Sequence, residues 1–197
     1  MRKTLDQLIS WTGLILAVVL LVAGGLLTYA SNFVSQNVES QLSQQRITMP
    51  AADRLETQAQ KDALLQYAGQ PMTTGDQAKA FADQYILVHM NASSDGRTYE
   101  EVSGEYMQLA KDPNANPDEV KALGDLRQSL FMGNALRGML LNAYAFGTMG
   151  TIALIAGIGA FIASGVLLLL SLLGFRHAKH LNNFVPKDIA SEAPARV

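Results

Sequence analysis

Apolar residues in this chain are gathered into two blocks, and everything between them alternates at helical spacing. No residue between Asp6 and Glu39 is charged, and Leu14 to Leu27 is almost unbroken Leu, Ile, Val, Ala and Gly. No residue between Arg137 and Arg176 is charged either. A helix needs about 20 mostly apolar residues to cross a hydrocarbon core roughly 30 Å thick. The pattern predicts an all-α integral membrane protein with two transmembrane helices, over 8–30 and 148–174. Residues 138–147 form an interfacial helix start, because the second block is longer than a span requires. The short ends, 1–7 and 175–197, flank the pair. A soluble domain with two core helices is the weaker reading, since uncharged runs this long seldom fit inside so small a core. A basic start (Arg2, Lys3) and a small-residue site near Ala30 also fit a cleaved signal peptide. Trp11 ahead of the apolar run, and the length of that run, favour an uncleaved anchor.

The intervening 31–137 reads as a loop of short helices. Phe33, Val34, Val38 and Leu42 recur at helical spacing, so the first helix can continue past its span. Arg46 to Met49 reads as extended ahead of Pro50. Ala51 to Ala68 reads as one helix, with Gly69 as its C-cap. Thr74 and Gln77 form a capping box ahead of the apolar face Ala78, Phe81, Ala82, Tyr85 and Ile86, a helix ending near Met90. A turn centres on Asp95-Gly96. Thr98 and Glu101 make a second capping box for a helix to about Lys111. A proline-punctuated loop, Asp112 to Pro117, precedes a helix with Leu123, Leu126, Leu130 and Phe131. The tail from Asn182 is polar. With so few large apolar residues, the loop is expected to pack on a membrane surface or on another subunit.

Charge then sets an orientation. Residues 31–137 hold 9 basic and 14 acidic residues, while the two ends together hold 6 basic and 3 acidic. Arg2, Lys3, Arg176, Lys179 and Lys187 flank the spans on one side, and Ser31 to Gln45 has no Lys or Arg. The positive-inside rule puts both termini in the cytoplasm and the loop outside a plasma membrane. Trp11, Tyr29, Phe33, Tyr144 and Phe175 fall where interfacial aromatics belong. The absence of cysteine excludes disulfides and thiolate chemistry.

Catalytic patterns are missing from the sequence. Neither span carries an ionisable residue, which argues against a pump, a channel or an electron carrier acting alone. His89 lies in the loop, apart from His177 and His180 in the opposite juxtamembrane segment; that pair, at i and i+3, could hold one ion weakly, but its position reads rather as positive charge near lipid headgroups. There is no nucleophile elbow, P-loop or His-Glu-x-x-His. The carboxylates Glu100, Glu101, Glu105, Asp112, Asp118 and Glu119 sit at helix starts, where capping explains them. Asp112 to Glu119 lacks the Gly and spacing of an EF-hand. Asn91-Ala92-Ser93 is a glycosylation sequon of little weight by itself. No cofactor, metal or nucleic acid is expected.

Packing is where the informative residues lie. Ala156, Ala160 and Ser164 fall four apart on the second span, with Gly150, Ala153 and Gly157 beside them. Gly13, Ala17 and Gly24 lie near one face of the first. Small residues let helix backbones approach closely in lipid. These positions suit pairing of the two spans, and equally docking onto a larger membrane complex; Leu167 to Leu170 reads as lipid-facing.

The order of a short basic start, a span, Gln45-Arg46-Ile47-Thr48, Thr98-Tyr99-Glu100-Glu101, then Leu136-Arg137-Gly138-Met139-Leu140-Leu141-Asn142-Ala143 running into Ala145-Phe146-Gly147 resembles a group of small two-helix membrane proteins of actinobacteria. The resemblance covers most of 1–175 and is most specific over Leu136 to Gly147. Members often carry an "aromatic ring-opening dioxygenase" label, which this sequence contradicts: such an iron site takes two His and a carboxylate, and only His89 lies in the loop. Size and topology also resemble the accessory subunits of the actinobacterial cytochrome bc1–aa3 respiratory supercomplex. The resemblance implies a non-catalytic accessory subunit whose partners are lipids and integral subunits such as those of bc1 and aa3. A standalone envelope protein that binds or senses a ligand through its loop is the alternative, and an enzyme comes last.

Overall fold

The structure, a computed structural model, describes residues 2–180. The polar tail from Asn182, with Lys187, lies outside the described residues, as do the side chains of Arg2, Lys3 and His180. Two helices dominate: α1, Arg2–Gln44, of 43 residues, and α6, Pro117–His180, of 64 residues. Both are long and apolar enough to cross a membrane. At 1.5 Å per residue they extend about 65 Å and about 96 Å. Where an interfacial helix start is expected at 138–147, α6 instead starts at Pro117 and runs through that stretch. Residues 138–147 contain no Pro, so every residue there keeps the N–H that a continuing helix needs.

Contacts divide the chain into two compact units, one of 1–30 with 152–197 and one of 31–151. The first is a pair of helical segments whose buried positions recur every seven residues. Ser10, Ala17 and Gly24 are buried on α1, and Gly157, Ser164, Ser171 and Ala178 on α6. A strict seven-residue repeat winds two helices into a left-handed supercoil.

The second unit has its own core. Val38 and Leu42 of α1, Met49, Leu55, Leu64, Met72, Ala78, Ala82, Ile86, and Leu140 of α6 form one buried cluster. The short helices by themselves are thin in large apolar residues, and the core they share is completed from within the chain. The missing apolar surface is supplied by α1 and α6 themselves, running past their most apolar stretches. Seven-residue burial continues here, with Ser31 and Val38 on α1 and Gly150 on α6.

Short elements fill the space between. Met49 N–H donates to Gln70 O, and Met72 N–H to Ile47 O, so Ile47 to Met49 is extended as expected and pairs with 70–72, whereas Arg46, expected to be extended, instead turns the chain at φ 52°. The single helix expected over Ala51 to Ala68 is instead three pieces: a 3-10 turn Ala52–Arg54, helix α2 Gln58–Leu64, and a 3-10 turn Leu65–Tyr67. Thr57 restarts the chain with a full capping box, its hydroxyl accepting from Gln60 N–H while the Gln60 amide oxygen accepts from Thr57 N–H. Helix α3, Gly75–Phe81, starts at the expected Thr74–Gln77 box. It runs through a π turn, Ala82–Ile86, into α4, Leu87–Ser94, which ends on Asp95 and Gly96 at φ 55° and 78°. Helix α5, Tyr99–Leu109, starts at the Thr98–Glu101 box. It packs on α6 through Arg127, whose Nε donates to Ser103 Oγ at 3.0 Å and whose guanidinium lies 5.2 Å from the Tyr106 ring centre.

Candidate functional site

Each small residue singled out in the sequence has a definite place, and the set divides in two. Gly13, Ala17, Gly24, Gly150, Gly157 and Ser164 are spent on pairing α1 with α6. Ser164 Oγ donates to Ala17 O at 2.7 Å, joining the two apolar segments. Gly24 and Gly157 oppose each other: a Cβ on either would lie 3.2 Å from the carbonyl oxygen of the other. A Cβ on Gly13 would lie 2.5 Å from Ser171 Oγ, and one on Gly174 would collide with Ser10 Oγ. Trp11 meets Phe175 edge to face at 5.6 Å. Within the second unit, a Cβ on Gly150 would lie 3.3 Å from Val34. Only glycine, alanine and serine permit this spacing, which is the geometry that van der Waals contact in lipid rewards.

Two further hydroxyls along this seam bond back to their own helix. Ser10 Oγ donates to Asp6 O at 2.8 Å and Thr28 Oγ1 to Gly24 O at 2.9 Å. Such back-bonding satisfies a hydroxyl within its own helix, without a partner from elsewhere.

Ala156 does not share the face of Ser164. It is exposed, Ala153 and Ala160 are half-buried, and the face expected from spacing by fours is corrected to one spaced by sevens. The reason is the drift between 3.6 and 3.5 residues per turn, which moves a row of i+4 positions off the seam. Ala156, Gly159 and Ala163 form a second small-residue stripe pointing away from α1, and a Cβ on Gly159 would meet nothing within 4 Å. Leu169 and Leu170 are exposed as expected, but Leu167 is half-buried against α1.

The second unit holds a polar clamp that sequence reasoning missed. Arg137 Nε donates to Ala82 O at 3.1 Å and Nη2 to Asp83 Oδ1 at 3.0 Å. Lys79 pairs with the other Asp83 oxygen and lies 5.4 Å from the Tyr144 ring centre. The Lys79 ammonium, and after it the Arg137 guanidinium, hold Asp83 below the usual carboxylate range against the opposing effect of partial burial. Asp83 in turn raises Lys79. The clamp grips the π turn at its first carbonyl, and π turns are rare enough to need such a tertiary cause. Arg137 bounds the uncharged stretch of α6, a position that drew attention to the stretch and not to the arginine.

Two of the open clefts in this unit lie against both α1 and α6. One, of about 380 Å³, is lined by Ser35 and Glu39, by Thr73 to Asp76, and by Tyr144, Thr148 and Thr151. The other, of about 500 Å³, runs between α1 and α6 from Phe33 to Gln45 and from Met139 to Phe146. His89 is exposed, with Nδ1 2.6 Å from Tyr85 O. Glu101 serves its capping box, and Asp112 Oδ1 accepts from Asn114 N–H. No protein-family model, curated protein or solved structure matches this chain.

Proposed function

We propose that this protein is a non-catalytic accessory subunit of a larger membrane assembly. It would sit in a plasma membrane with both termini in the cytoplasm and residues 31–151 outside. One observation carries the reading. The small residues of α6 exceed what pairing with α1 consumes, and the surplus, Ala156, Gly159 and Ala163, faces outward on one stripe. Large side chains serve a helix face that meets only lipid; small ones serve a face that another helix approaches. The resemblance in size and topology to accessory subunits of the respiratory bc1–aa3 supercomplex makes that the preferred assembly.

The test is a gentle-detergent pull-down of the tagged chain at native expression, read by mass spectrometry and haem absorbance. Stoichiometric membrane subunits are expected, with haem bands where the assembly is respiratory. A chain that purifies alone would overturn the proposal. The cleft at Ser35, Glu39 and Thr73 to Asp76 favours a second reading, a standalone envelope protein that binds a small polar ligand there. That reading predicts saturable binding by the isolated full chain.

A further inference from the structure

We draw no further inference here: the strongest candidate, the open apolar cleft of about 430 Å³ between the paired segments of α1 and α6, lined by Ile9, Leu167, Leu170 and Leu173 together with Asp6 and His177, is an unpartnered face, and nothing in the structure shows what covers it.

Discussion

At the scale of single residues, the sharpest electrostatics belong to Asp83. Its carboxylate is held by Lys79 on its own helix and by Arg137 of α6, and side-chain exposure is 26% for Asp83 and 21% for Arg137. The direction of its shift fixes a pH dependence. A carboxyl lowered on folding stabilises the folded state above its unfolded value, near pH 4, and loses that contribution as pH falls through the lower folded value. The raised Lys79 acts at the other end: its contribution is complete below the unfolded value of 10.5 and is lost as pH rises through the folded one. The pair therefore supports the fold across the neutral range and fails first in acid. Asp83→Asn should flatten the acid limb of a stability-versus-pH curve measured by circular dichroism in detergent between pH 3 and pH 7. Arg137→Met should cost about 2 kcal/mol near pH 7, since it leaves the part-buried Asp83 Oδ1 without its charged partner, while the Ala82 carbonyl keeps the Leu87 N–H. An acid limb equally steep in Asp83→Asn would assign the pH dependence to other carboxylates. Gly75 shows a different kind of constraint: a Cβ there would lie 2.9 Å from Tyr144 Cα, so helix α3 starts where its backbone touches α6.

At the scale of elements, helix starts were legible and helix interiors were not. The Thr74–Gln77 and Thr98–Glu101 boxes announce α3 and α5, because a capping box is a local signal that needs no tertiary partner. Thr57-x-x-Gln60 carries the same signal, but the apolar spacing of Leu55, Ala59, Leu64 and Leu65 reads across it as one helix. The box wins because Gln60 is buried and its side-chain nitrogen also donates to Gln84 O at 3.0 Å, anchoring the start of α2 to the π turn. Thr57→Ala removes the acceptor for Gln60 N–H and should cost about 1 kcal/mol, read as a shift in denaturation midpoint. No shift would mean that the Gln60–Gln84 contact holds α2 by itself. The π turn could not have been read, since one extra residue in a helical turn leaves the apolar face nearly unchanged and its cause, Arg137, lies 55 residues away. Likewise, small residues were visible as a class, but their assignment to the seam or the outward stripe depends on the partner helix, which drags the repeat from 3.6 to 3.5.

At the scale of the whole molecule, the question is what the segment between the two apolar blocks uses as a core. The segment between the long helices contributes Met49, Leu55, Leu64, Met72, Ala78, Ala82 and Ile86, which form one cluster only together with residues of α1 and α6. Val38 and Leu42 come from one end and Leu140 from the other, the last fully buried. A boundary drawn where charge ends, at Arg137, therefore cuts through the core. Residues 31–137 lack Leu140, its neighbours Leu141 and Ala143, and the Tyr144 backbone against which Gly75 packs. Removing one fully buried leucine costs about 2 to 5 kcal/mol, comparable with the roughly 5 to 15 kcal/mol that holds a whole domain folded. Two fragments then behave differently in mild detergent. Residues 31–137 should show helical signal without a cooperative melt, whereas 31–151 should melt in one sharp transition and lose it on Leu140→Ala. A cooperative melt for 31–137 would mean that the short helices close a core without α6 beyond Arg137. The uncharged stretch 138–147 would then be free to serve a partner along its whole circumference, and the groove beside Met139 would be half of a larger interface.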